Sequence, residues 1–261
     1  MRREVGNDLL AGLRSFVSAA YVRGTAIVFL LAAWYILALA LNMAALPTPL
    51  EAFATFFADM DDGLGYHFAI SAYRVVTSIA LSFFLAVPLG LVLGREPRFD
   101  RWVAPLIYLT YPVPKIVLLP VIMAIFGLND FAKILLISLV VFFQILVTAR
   151  DAAKQINRAV VDSMVSLGAG RWEIYRHVVW PASLPDIFTA LRIGSGTAIA
   201  VLFFSETVGS TQGLGYYLMD GWSRYAYDEM FAGIIAMGLL GLIIYTAIDL
   251  IDKKVCTWKY L

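Results

Sequence analysis

The chain has 261 residues, of which 61% are hydrophobic and 15% charged, with a formal net charge of +1 and a mean hydropathy of +0.80. A water-soluble core cannot use that much apolar surface, so the composition places the chain in lipid. One cysteine, Cys256, and two histidines, His67 and His177, exclude a disulfide framework and argue against a thiolate or histidine metal centre, and nothing in the charge balance points to nucleic acid.

In chain order, Leu9, Leu13, Phe16, Val17 and Ala20 recur at helical spacing among arginines and predict an amphipathic segment on the inner membrane surface, within residues 1–24. Apolar runs long enough to span a bilayer follow at about 25–45, 69–94, 103–126, 131–149, 187–209 and 230–251. The first is full length and well inside the chain, so it reads as a true span rather than a cleaved leader. It shares a 25–68 segment with a short outer helix, announced by Thr48-Pro49-Leu50-Glu51 as N-cap, first-turn proline and capping-box glutamate, with Phe53, Phe56, Phe57 and Met60 expected on one face. Residues 69–251 form the core spanning unit and 252–261 a tail. Ala86, Gly90 and Gly94 in the second span, and Ala190, Gly194 and Ala198 in the fifth, predict close backbone approach between helices. No internal repeat stands out.

The charges are lopsided. Arginines and lysines crowd the segments before the first span, between the second and third, between the fourth and fifth, and after the sixth, whereas Arg224 stands alone on the other side with Glu51, Asp59, Asp61, Asp62, Asp220 and Asp228. The positive-inside rule then puts both termini in the cytoplasm.

Polar residues within the spans need partners or water, and four of them stand out. Lys115 lies beside Pro112-x-Pro114, where a helix must kink, and it either caps the freed carbonyls or lines a pathway. Arg74 and Glu206, near the outer ends of the second and fifth spans, either pair or edge a gate. Gln144 is a weaker pathway candidate, because a lone amide in a span usually bonds a neighbouring helix.

Between the fourth and fifth spans sits DSMVSLGAGRWEIYRHVVWPASLPDI, residues 162–187. One short helix is expected over 159–167, stopped at Gly168 by a left-handed cap, and a second over 171–179, stopped by Pro181, with Trp172, Tyr175, Val178 and Val179 on one face. Two short helices at an angle make a projecting knob. Its aromatic face must bury itself in the membrane surface or in a groove of another protein.

The order acid-small-small, three residues, Gly-Ala, five residues, aromatic, two residues, aliphatic, one residue, Leu-Pro, three residues, Pro occurs here as Asp162-Ser163-Met164, Gly168-Ala169, Tyr175, Val178, Trp180-Pro181 and Pro185. It resembles the EAA loop of the membrane subunits of type I ABC importers, departing from it by Ser-Met for Ala-Ala and Trp for Leu. YPVPKIVLLPVIMAIFGLND, AKILLIS and SETVGSTQGLGYYLMD resemble the branch that handles nitrate, sulfonates, taurine and thiamine precursors, over roughly residues 70 to 255.

The resemblance implies an all-α membrane protein with six transmembrane helices per chain in a multi-pass prokaryotic inner-membrane location. It also implies a homodimer, two separate ABC ATPase subunits, an extracytoplasmic substrate-binding protein and a coupling role for residues 159–181. Asp162, Ser163, Met164, Gly168, Ala169, Arg171, Trp172, Tyr175 and Pro181 would carry that role. The chain has no Gly-x4-Gly-Lys-Ser/Thr phosphate loop, so ATP and Mg would be bound by the partner and this chain would hold no cofactor and catalyse nothing. The alternative, an ion-coupled carrier or channel without an ATPase, has Glu206 as its main support.

Overall fold

The computed structural model describes residues 24–259, all helix and connection. The predicted inner-surface segment at Leu9–Ala20 lies outside the described residues. Five helices are long and apolar enough to cross a membrane, and a bent pair makes a sixth if counted as one span.

Helix α1, Gly24–Leu41, buries little beyond Ala38 and joins the rest through Trp34. The Trp34 ring stacks on Phe231 at 5.4 Å and its indole N–H donates to the Pro47 carbonyl at 3.0 Å. Helix α2, Pro49–Ala58, starts as its sequence requires, with the Thr48 hydroxyl and the Glu51 carboxylate capping each other's backbone N–H. Its inward face is Ala52 and Phe56; Phe57, expected beside them, is exposed because one residue further on the helix points 100° away.

Helices α3, Gly65–Arg95, and α6, Asp130–Gln155, are the central pair. A Cβ on Gly90 would stand 2.7 Å from the Ala149 Cβ, and one on Gly94 2.6 Å from the Ala153 Cβ, so the glycines set the approach distance as expected. Serines bridge the same seam: Ser78 donates to the Ile134 carbonyl at 3.2 Å and Ser82 to the Ser138 carbonyl at 2.9 Å. Helix α9, Trp180–Thr207, packs on both, and α11, Tyr227–Val255, closes the bundle against α9, α2 and the short α10, Leu214–Ser223.

Two expectations are corrected. The apolar run at 103–126 is not one helix: α4, Pro97–Thr110, a turn through Pro112 and Pro114, a 3-10 turn at Lys115–Leu118 and α5, Leu119–Phe126, meet at a bend of 80°. The knob's second helix does not stop at Pro181. It starts at Arg171–Ile174 (α8), widens into a π turn at Tyr175–Val179 and continues as α9 through Pro181 and Pro185, so Arg171–Thr207 is one 37-residue helical unit. A π turn ahead of a proline relaxes the coil where the ring would strike the preceding carbonyl, which removes the usual reason for a stop.

Candidate functional site

The knob begins with α7, Arg158–Ser166, whose Asn157 side chain caps Ala159 N–H at 2.9 Å. Ser163 and Ser166 turn their hydroxyls back onto the Ala159 and Asp162 carbonyls. No residue of α7 is buried. The stop is where the sequence puts it: Gly168 has φ +83, Ala169 N–H donates to the Met164 carbonyl at 3.0 Å, and a Cβ on Gly168 would meet nothing within 4 Å.

Leu167 and Trp172 are exposed at 83% and 73%. Arg171 reaches Glu96 at 3.9 Å. Trp172, Tyr175, Val178 and Val179 do not share one open face: both valines are buried, Tyr175 is half-buried toward α3, and Trp172 projects. The π turn rotates the later residues inward relative to the earlier ones. Pro181 is half-buried inside the lever rather than at its end. Asp162, Ser163, Met164, Gly168 and Ala169 therefore form an outward surface on a turn mounted at the start of a long rigid helix.

At the opposite end of the bundle a buried polar knot ties α3, α6, α9 and the loop after α9. Arg74 donates through Nη1 to Glu206 Oε1 at 2.7 Å and to the Gln212 carbonyl at 3.0 Å, and through Nε to Asp130 Oδ1 at 2.9 Å. Glu206 also accepts from Ser71 Oγ at 2.9 Å and from Gly215 N–H at 2.8 Å, while Leu214 N–H donates to Ser71 Oγ at 2.8 Å. Gly213, at φ +108, lies so close that any Cβ there would overlap the Glu206 carboxylate. Arg74 and Glu206 are thus the expected pair, 2% and 0% exposed, and every hydrogen bond on the carboxylate offsets its desolvation. Buried Lys133 joins the edge of the knot by donating to Ser210 Oγ at 2.7 Å.

Lys115 sits where the proline kink frees carbonyls. Its ammonium donates to the Thr110 and Tyr111 carbonyls, both at 2.7 Å, and lies 4.6 Å over the Phe143 ring. The capping alternative is what the geometry realises. Gln144 donates to Thr197 Oγ1 across α6 and α9 at 3.2 Å, and among the described residues its Oε1 has no partner.

Other residues escape sequence reasoning. Arg150 and Lys154 count there only as inner charges, yet both grip Asp100 of α4, at 2.5 and 2.6 Å. Arg192 of α9 pairs with Asp252 of α11 at 2.7 Å. Ser71 and Asp130 carry no local pattern; only the Asn129-Asp130 helix start hints at the latter. Among the described residues no group of His, Cys, Asp and Glu could hold a metal ion.

Residues 86–256 match the family described as "Binding-protein-dependent transport system inner membrane component". The chain is 29% identical over 199 residues to the taurine transport system permease protein of Escherichia coli (strain K12), covering 76% of this chain and 72% of that one. It is 27% identical over 215 residues to the formylaminopyrimidine transport permease protein of Halalkalibacterium halodurans, covering 82% of this chain and 86% of that one. In fold it is similar to a chain of the inward-facing MetNI methionine ABC transporter, with TM-score 0.61, 20% identity, and coverage of 75% of this chain and 97% of that one.

Proposed function

The chain belongs to the family of binding-protein-dependent transport system inner membrane components, the permeases of ABC importers, and on that premise we propose that residues 159–181 couple it to a separate ATPase. The supporting observation is mechanical. The exposed turn around Gly168 is carried on a helical unit that runs unbroken from Arg171 to Thr207, so a push on the knob arrives at Glu206 and the polar knot without a hinge.

In this reading Asp162, Ser163, Met164, Gly168, Ala169 and Arg171 meet the ATPase, with Trp172 at the rim, while Tyr175 and Pro181 brace the knob from behind. Two ATPase subunits, supplying ATP and Mg, would serve a homodimer of this chain. A substrate-binding protein would dock at the acidic end, and the knob and both termini would be cytoplasmic. Gln144 is the residue we place nearest the solute path, with Lys115 holding the kink beside it. The relatives named for taurine and formylaminopyrimidine support a small solute among sulfonates, nitrate, bicarbonate and vitamin precursors.

The test is affinity purification of wild type and Gly168→Asp from the native host. The new side chain meets no atom within 4 Å but strains the turn at φ +83, so the variant should keep the wild-type size-exclusion profile, the strain being confined to the exposed turn, while losing the ATPase that copurifies with wild type. Wild-type ATPase association and uptake in the variant would refute the coupling role.

A further inference from the structure

Beside the knob, a slot of about 420 Å³ opens between α3 and the first turns of the α8–α9 unit, with Pro88, Leu91 and Val92 on one wall and Trp172, Tyr175 and Trp180 on the other. Its lining is apolar throughout. Arg176 is the one charged residue that borders it, and its polar atoms add almost nothing to the lining. Such a surface offers no hydrogen bond to orient a polar solute.

The surroundings of the mouth are basic. Tyr175 lies within electrostatic reach of Arg95 and Arg171, with Glu96 as the one acid. Across Val92 a second recess is bordered by Glu96, Arg98, Phe99 and Trp102. Glu96 is engaged by Arg171, whereas no ion pair among the described residues involves Arg95, Arg98, Arg101 or Arg176. Trp102, Trp172 and Trp180 are exposed at 80%, 73% and 39% at this level, where α3 ends and the long helix begins. Exposed tryptophans beside unpaired arginines mark the depth of lipid headgroups.

We propose that this slot binds an anionic phospholipid, one acyl chain lying between Pro88-Leu91-Val92 and Trp172-Trp180, and the phosphate held by Arg176 and Arg98. The lipid would touch both the end of α3 and the root of the knob, so its presence would stiffen the lever. The proposal needs no ATPase and can fail or succeed apart from the coupling role.

The experiment is tryptophan quenching with the full chain in phosphatidylcholine vesicles containing either brominated phosphatidylglycerol or brominated phosphatidylcholine. Wild type should be quenched preferentially by the anionic lipid. Trp172→Phe/Trp180→Phe removes the two reporters in the slot and leaves Trp34, Trp102, Trp222 and Trp258, so the slot's own signal is the difference between wild type and this variant, and that difference should carry the preference for the anionic lipid. In Arg98→Gln and Arg176→Gln, which keep the two reporters, the preference should fall by about fivefold per arginine. Equal quenching by both lipids would reduce the slot to ordinary lipid contact and overturn the proposal. So would a preference that survives Arg98→Gln/Arg176→Gln, or Trp172 and Trp180 that neither lipid quenches.

Discussion

Arg74 and Glu206, 132 residues apart in the chain, meet at 2.7 Å with both side chains sealed from solvent. Each charge depends on the other, because neither has water to fall back on. Arg74→Ala leaves the buried Glu206 carboxylate without its cation and should cost about 3–5 kcal/mol, Glu206→Ala should cost less because Arg74 keeps Asp130, and Arg74→Met/Glu206→Met should recover much of the Arg74→Ala loss. Thermal unfolding of the detergent-solubilised chains, followed by size-exclusion chromatography, checks the order. A double variant no better than the singles would show that the other partners, Asp130 and Ser71, carry the knot.

The α3–α6 seam makes a second prediction. Gly90→Ala puts a methyl group 2.7 Å from the Ala149 Cβ and 2.8 Å from the Leu146 carbonyl oxygen, and overpacking of that kind costs about 1–3 kcal/mol. Ala149→Gly in the same chain removes one of the two clashes. A double-mutant cycle on the unfolding midpoints should therefore show partial rescue, and strict additivity would mean the helices move apart freely.

Lys115 is a test of cap against pathway. Its ammonium satisfies two carbonyls freed by the kink at an exposed position, and a carbonyl left without a partner where lipid replaces water costs about 1–3 kcal/mol. Lys115→Met should lower stability with little change in the KM for uptake. A raised KM at unchanged stability would mean instead that the lysine touches the solute.

Three other features mark where the sequence is legible. The capping box at Thr48 and Glu51, the Gly168 stop and the Pro112-Pro114 kink are local events, set by residues within one turn of one another, and each stands where the pattern put it. Partner choice across helices is another matter. Asp100 could have been any loop acid until α4 folded it against Arg150 and Lys154, and Asp130 shows its role only when Arg74 arrives from α3. The unbroken lever through Pro181 was hidden for a related reason: proline stops a helix in isolation, but a π turn upstream and packing of Val178 and Val179 into the bundle override it.

Cys256 supplies a reporter of global unfolding. It is the chain's one cysteine, wholly buried at the end of α11, and burial first, then the neighbouring Asp252 carboxylate, pushes its thiol up from 9.0 to about 11. At neutral pH the folded protein thus presents neither access nor thiolate, so maleimide should label it only as fast as the chain opens. The raised value also has a sign. The folded state holds the thiol proton more tightly than the unfolded chain, so this contribution to stability is complete below pH 9 and is lost as pH rises toward 11. Lys259 and Arg192, which also face Asp252, remain in Cys256→Ala, so the difference between wild type and that variant isolates the thiol. The unfolding midpoint of wild type should fall more steeply between pH 9 and 11 than that of Cys256→Ala, and parallel curves, or rapid labelling at pH 7, would place the thiol in contact with water.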